Sequence, residues 1–292
     1  MIRNIAVISP GDMGHSVGRV LAEYGFNIFT CLEGRSERTQ KLAHSAQFKI
    51  LNNYEELVDQ SDLVMSILPP DYASELVDKI VNILESSSGR QIYFVDCNAI
   101  SPSKSISLAE KINNAGGRFI DGGIIGLSPS KGDVPRFYVS GPDAYIMKDL
   151  DGQGISVQVM SDKVGDASAI KMCYAALTKG TNTLQLALLI AAQKMGVLGY
   201  LKDEFESSQQ NHYVAMEKNL SSLPANSHRW IGEMKEIART FQEVGVTPLF
   251  HQGSEEIYKL LLETSFADET PETIDLDRTV WQMIESLSDM SK

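Results

Sequence analysis

Apolar and polar positions follow two rhythms along the chain. In the first half, short apolar runs rich in β-branched residues alternate with segments of helical spacing. The runs are Ile2–Ile8, Asn27–Leu32, Leu63–Leu68, Ile92–Val95, Arg118–Asp121, Arg136–Ser140 and Val157–Met160. Short apolar runs bounded by turn residues predict buried strands. Between them, Val17, Val20 and Leu21 mark a helix closed by Gly25, and Asp71 caps a helix through Leu84 after Pro69-Pro70. Ser101 as cap and Pro102 as first helical residue start another. Strands alternating with helices predict an α/β fold, a Rossmann-type doubly wound sheet ending near Asp162.

From Asp166 the rhythm is helical throughout. Asp166 to Met195 is free of proline and interrupted only by Gly180, so it predicts one long helix. Ser168, Lys171, Tyr174 or Ala175, Thr178, Asn182 and Gln185 recur at three- and four-residue steps, which puts a polar stripe on one face. Leu184 to Ala192 is apolar nearly all round and predicts burial against a helix or a second subunit. The polar residues Lys179, Asn182 and Gln185 keep this helix from spanning a membrane. Further helices are expected over Tyr200–Leu220, Ser227–Glu243 with Ser227 as cap, Ser254–Thr264 and Asp275–Leu287. The expected organisation is a dinucleotide-binding domain over 1–162 and an all-α substrate and dimerisation domain over 163–292.

Composition narrows the partners. A chain of 292 residues with 43% hydrophobic and 22% charged residues suits a soluble protein of two domains. A net charge of −12 without any basic block argues against nucleic acid and anionic membranes. Cys31, Cys97 and Cys173 lie far apart with no CxxC, which predicts reduced thiols in a cytoplasmic setting, no disulfide framework and no metal. With a strand beginning at Ile2, no leader peptide is expected. The expected partners are a small-molecule substrate and, through the apolar sector Leu184 to Ala192, a second copy of the chain in a homodimer.

The chemistry begins after the first strand. Ser9-Pro10-Gly11-Asp12-Met13-Gly14 stands between strand and helix, the context in which a glycine-rich turn holds a pyrophosphate at a helix N-terminus. Ser9 replaces the first glycine of that fingerprint. About 20 residues on, Glu33 and Arg35-Ser36 follow the second strand, where the adenosine ribose of a dinucleotide is read. Glu33 favours the 2′-hydroxyl of NAD, whereas Arg35 and Ser36 could grip the 2′-phosphate of NADP. NADP is the favoured cofactor and NAD stays possible. Leu68, Pro69 and Asn98 fall at carboxyl ends of later strands, where open α/β sheets bind ligands. Gly122, Gly123 and Gly126 suggest close backbone approach, to a ligand or to another segment.

With these pieces in place, the chain resembles the β-hydroxyacid dehydrogenase family, which includes 3-hydroxyisobutyrate and 6-phosphogluconate dehydrogenases. It looks closest to a phosphogluconate-dehydrogenase-like NAD-binding branch with its own C-terminal domain. Residues 9–14 are similar to G-x-G-x-M-G and Asp96–Pro102 to D-x-S-T-x-x-P. Asp121–Gly126 stands where the family has D-A-P-V-S-G-G, and Gly165–Lys171 matches G-x-G-x-x-x-K. The resemblance implies Lys171 as the catalytic general acid/base, Asn98 beside cofactor and reaction centre, and Gly122, Gly123 and Ile124 with Lys171 along the substrate. Ile125 stands in place of the substrate-motif serine and Ala175 in place of a catalytic asparagine, while a second family lysine is absent near Gly232-Glu233. Tyr174 is the candidate replacement donor. The implied function is an NADP(H)- or NAD(H)-dependent oxidoreductase moving hydride between nicotinamide and a small hydroxy acid or carbonyl compound. A free lysine is a poor base at neutral pH, so the ammonium form and the reductive direction are favoured. The alternative is a dinucleotide-binding sensor or scaffold without turnover, which the losses at Ile125 and Ala175 would fit.

Overall fold

The computed structural model describes residues 1–86 and 91–288. It separates into two compact units, Met1–Met172 and the chain from Cys173 onward. The first unit holds an eight-stranded sheet: β1 (Asn4–Ile8), β2 (Asn27–Cys31), β3 (Lys49–Leu51), β4 (Leu63–Ser66), β5 (Tyr93–Asp96), β6 (Arg118–Ile125), β7 (Arg136–Ser140) and β8 (Ser156–Ser161). Their spatial order is β3-β2-β1-β4-β5-β6-β7-β8. β3 to β6 of that order run parallel, and β7 turns antiparallel against β6. The order reverses between β1 and β4, which creates the crevice where doubly wound sheets take their ligands.

Helices α1 (Asp12–Glu23), α2 (Glu37–Ser45), α3 (Tyr54–Gln60), α4 (Ala73–Ser86) and α5 (Pro102–Asn114) connect the parallel strands. The central strands β1, β4 and β5 are apolar on both faces. In β1, Ala6 and Ile8 enter one buried cluster while Ile5 and Val7 enter the other. This continuous hydrophobicity, rather than alternation, is what a parallel sheet covered by helices requires. Local caps place the helix starts: Ser36, Asn53 and Ser101 accept first-turn amides of α2, α3 and α5.

Two features of the sheet differ from the sequence expectation. β3 is an added strand; only Leu51 of its three residues is buried, too little apolar pattern to be seen. β6 continues beyond Asp121, because Gly122, Gly123, Ile124 and Ile125 pair with Val139, Tyr138, Phe137 and Arg136. The glycines lie in a strand whose neighbours leave no room for side chains, not in a loop.

The long helix α6 runs over Asp166–Lys194. Its polar stripe is not one surface, since Ser168 and Gln185 are buried while Tyr174 and Thr178 are exposed. The apolar sector is also divided: Leu186 and Leu189 are buried, but Leu184 is 67% exposed. In the second unit follow α7 (Leu198–Ser208), α8 (Gln210–Asn219), α9 (Pro224–Glu243), α10 (Leu249–Leu262) and α11 (Val280–Ser288). The single helix expected over Tyr200–Leu220 is broken at Gln209, next to Ser207-Ser208, residues of weak helical preference. Ser227 is not a cap; α9 starts at Pro224, and the Ser227 hydroxyl donates to the Leu223 carbonyl within the helix. The last helix begins later than Asp275, whose carboxylate accepts the Asp277 amide in a local turn. It starts instead after Thr279, which exchanges hydrogen bonds with Gln282 in a capping box. Among the described residues no helix is long and apolar enough to cross a membrane.

Candidate dinucleotide and lysine site

The turn after β1 has the backbone that a dinucleotide fingerprint demands. Ser9 adopts φ 57°, the left-handed region that favours glycine, and its carbonyl accepts the Gly11 amide at 2.7 Å. A Cβ on Gly14 would stand 3.2 Å from the Ser9 carbonyl oxygen and 3.3 Å from Val7 Cγ1, so strand and helix pack tightly there. Helix α1 has Gly11 at its cap position and no side-chain hydrogen bond to its first turn. Its leading amides are therefore open donors at the carboxyl end of β1, which fits a pyrophosphate. Pro10 is buried and Met13 packs against the core, holding the turn from both sides. Asp12 is ion-paired with Arg38 of α2.

At the end of β2, Arg35 Nη2 donates to the Tyr54 hydroxyl at 3.3 Å. Burial pushes the Tyr54 phenol up, with Arg35 opposing the shift. Ser36 caps α2, and its hydroxyl accepts the Thr39 amide at 3.3 Å. Glu33 is paired with Lys79 at 3.2 Å, and Lys79 also lies over the Tyr54 ring at 4.0 Å from its centre. Arg38 and Lys79 join the group that the sequence reading confined to Glu33, Arg35 and Ser36. Arg38 stands two residues beyond Ser36, but nothing in the sequence pairs it with Asp12.

Asn98 is 2% exposed and both ends of its amide are engaged. Its oxygen accepts the Leu68 amide at 2.5 Å, and its nitrogen donates to Ser66 Oγ at 2.8 Å. Asn98 thus ties the end of β5 to the end of β4 and fixes the Leu68-Pro69 segment. Its own amide donates to Asp96 Oδ1 at 2.8 Å. Asp96 is buried, and Oδ2 has no hydrogen-bond partner among the described residues. Burial drives its carboxyl up to about 7, with the Asp121 charge adding to the shift and the Asn98 bond opposing it. The Cys97 thiol is also pushed up by burial, which makes it unreactive.

The lysine is set by β6. Lys171 Nζ donates to the Ile124 carbonyl at 2.7 Å, near the carboxyl end of that strand. Gly123 makes the approach possible, because a Cβ there would lie 2.7 Å from the Ala167 carbonyl oxygen and 2.9 Å from Lys171 Cβ. Gly122 is confined likewise: a Cβ would meet the Asp96 carbonyl at 2.9 Å. Of the two close approaches the glycines allowed for, the structure displays the one to other chain segments. Tyr174 follows along α6 in the second unit and is 43% exposed.

Asp121, fully buried, is the hub that the sequence reading passed over. Oδ1 accepts Ser105 Oγ at 2.8 Å and Ser168 Oγ at 2.5 Å. Oδ2 accepts Ser140 Oγ at 2.9 Å, the Gly165 amide at 2.9 Å and the Ser168 amide at 3.0 Å. An acidic residue inside an apolar strand was the available signal, since a buried carboxylate must find donors. No group of side chains among the described residues could hold a metal ion.

Comparison with known proteins agrees with this geometry. Residues 4–148 match the NAD binding domain of 6-phosphogluconate dehydrogenase, and residues 192–261 match a domain of unknown function, DUF1932. An uncharacterized 28.5 kDa protein of Methanothermus fervidus is 28% identical over 235 residues, 80% of this chain and 89% of its own length. A conserved protein of unknown function, described as structurally similar to 3-hydroxyacid dehydrogenases, superposes with a TM-score of 0.65 at 26% identity, covering 89% of this chain and 97% of that one. Mycobacterium tuberculosis 3-hydroxyisobutyrate dehydrogenase shares the fold with a TM-score of 0.70 at 17% identity, covering 92% and 97%. The chain therefore combines an NAD binding domain of the 6-phosphogluconate dehydrogenase type over residues 4–148 with a DUF1932 segment over residues 192–261, on a fold shared with 3-hydroxyisobutyrate dehydrogenase.

Proposed function

We propose that this protein is an NADP(H)-dependent oxidoreductase, able to use NAD(H) less well, that reduces a small carbonyl or related substrate or oxidises the matching hydroxy compound. One observation carries the reading. Lys171 Nζ is held at the carboxyl edge of the parallel sheet, the same edge at which the glycine turn leaves β1. Bound nicotinamide supplies or accepts the hydride. In the reductive direction the Lys171 ammonium gives a proton to the substrate oxygen as its carbon takes the hydride, leaving a hydroxyl group and a neutral amine. The Ile124 carbonyl orients Nζ, and Asn98 holds the strand ends that border the same edge. Gly122, Gly123 and Ile124 form the wall beneath the substrate, and Tyr174 is the second candidate donor. Arg35 and Ser36, with Arg38, provide the positive end that favours a 2′-phosphate.

The test is NADPH oxidation against a panel of small aldehydes, keto acids and cyclic imines. Tight NADPH binding by calorimetry with no turnover on any member would replace this reading with the sensor or scaffold.

The proposed partner besides substrate is a second copy, in the cytoplasm. Leu177 and Leu184 of α6 and Met195 just after it are 69%, 67% and 68% exposed, and Leu188 and Ala191 continue the stripe at three- and four-residue steps. Such a seam suits packing against a symmetry-related helix. Leu188→Glu is expected to shift a dimer to monomer or aggregate in light scattering; an unchanged dimer rejects this interface.

A further inference from the structure

We propose that Asp121 is the positioning residue for Lys171, the buried anchor from which the proton donor is hung. The proposal rests on the reading of Lys171 as proton donor, and it concerns how that donor is placed. A helix N-terminus leaves its leading amides without intrahelical partners. In α6 the Asp166 amide meets the Lys163 carbonyl in the turn before the helix, and the next two are satisfied from the sheet: the Ala167 amide meets Ser140 Oγ, and the Ser168 amide meets Asp121 Oδ2. Ser140 Oγ in turn donates to Asp121, so two of the three contacts run through one carboxylate. The Gly165 amide adds a further bond from the residue before the helix, at φ 106°.

The anchor lies one helical turn before the lysine and on the same strand as its acceptor. Asp121 holds Ser168, and three residues along β6 the Ile124 carbonyl receives Lys171, itself three residues along α6. Gly123 between these two points keeps strand and helix in backbone contact. Helix and strand are therefore pinned together at two places, and the Nζ position is defined by both. A negative group at this helix end is also favourably placed against the helix dipole. Removing the carboxylate leaves Gly165 and Ser168 amides buried without an acceptor and frees the first turn to shift. Displacements of about 1 Å can lower turnover roughly 10²-fold.

The experiment reads Lys171 directly. The full-length protein is treated with trace acetic anhydride under native conditions, and the acetylation rate of each lysine is measured by mass spectrometry. In Asp121→Ala, Lys171 is expected to react about fivefold faster or more as the first turn opens locally, while Lys111 and Lys148 keep their rates. Asp121→Asn is expected to recover most of the wild-type rate, because an amide oxygen can keep the two backbone bonds while the serine hydroxyls turn to accept. On an active substrate, Asp121→Ala lowers kcat with NADPH affinity nearly unchanged, and adding it to Lys171→Met causes no further loss. A Lys171 labelling rate unchanged in Asp121→Ala overturns the proposal, as does an additive loss in the double variant. Should Asp121→Ala fail to fold, amide exchange in the wild type decides: Gly165 and Ser168 must be as protected as β6, and exchange at loop rates overturns the anchor. Faster labelling in Asp121→Ala together with a fully active Lys171→Met keeps the anchor and removes the proton-donor reading instead.

Discussion

The N-termini of α1 and α6 are each led in by a positive-φ residue and end in opposite states. Both follow a residue in the left-handed region, Ser9 at φ 57° and Gly165 at φ 106°. The start of α1 has no side-chain cap, and its donors are open at the carboxyl edge of the sheet. The start of α6 is buried against β6 and closed by Asp121 and Ser140. The difference separates two uses of one chemical feature. Open amides offer an anion its site, whereas closed amides fix a helix in place so that a side chain further on can act. On the proposed function, the first holds the cofactor and the second holds the proton donor.

The largest effect should come from the far end of the closed arrangement. Lys171→Met preserves length and helical preference but removes the donated proton, and turnover is expected to fall by roughly 10²–10⁴ with cofactor affinity within a few-fold. Steady-state kinetics with NADPH titration checks it; retention of more than about a tenth of wild-type turnover moves the proton to Tyr174 or elsewhere. The open arrangement is probed at its distal grip. Arg35→Ala should weaken NADP binding by about 1.5–3 kcal/mol, the range for a charged hydrogen bond, and leave NAD nearly unchanged. Equal losses for both cofactors by calorimetry would show that Arg35 does not read the 2′-phosphate.

Gly123→Ala tests the contact between β6 and α6. Its Cβ would meet the Ala167 carbonyl oxygen at 2.7 Å, where backbone rather than a flexible side chain must yield. The expected cost is about 1–3 kcal/mol of stability in chemical denaturation, as for other overpacked sites. NADPH affinity should be preserved, since α1 is not touched. A variant as stable as the wild type would mean that α6 is free to move away from β6.

The two helix ends were not equally legible in sequence. The α1 turn could be read because its residues are contiguous: strand, Gly11, Gly14 and helix stand in one short stretch. What was hidden there is the positive φ of Ser9, which shows that the turn keeps its geometry without the first glycine. The closure of α6 draws on Ser105, Asp121, Ser140 and the Gly165–Ser168 stretch, four separate segments that meet only after the sheet forms. Gly122 and Gly123 announced a close approach, but not that Asp96 and Ala167 make it. The sheet itself was readable because buried parallel strands are hydrophobic throughout, while β3 has too little of that pattern. In the helical unit, the Thr279–Gln282 capping box was present in the sequence, yet the Asp275 signal before it pointed to an earlier start.

A further contrast concerns the carboxylate beside the anchor. Asp96 and Asp121 are paired neighbours on β5 and β6 and both are buried, yet their surroundings differ. Asp121 has donors on both oxygens, whereas Asp96 has one oxygen bonded by Asn98 and one with no hydrogen-bond partner among the described residues. Burial, reinforced by Asp121, raises Asp96 from the usual 3.8 to about 7. A carboxyl whose folded value lies above its unfolded one binds more protons when folded, so its protonation stabilises the fold. That contribution is present below pH of about 4, declines as pH rises towards 7, and levels off above it. Asp96→Asn should remove this pH dependence. The pH dependence of unfolding free energy, compared between wild type and variant from pH 5 to 8, should therefore differ in slope below 7, with the wild type losing stability relative to the variant as pH rises. Parallel curves would mean that Asp96 finds solvent or a proton donor in solution, and that its second oxygen is as well served as those of Asp121.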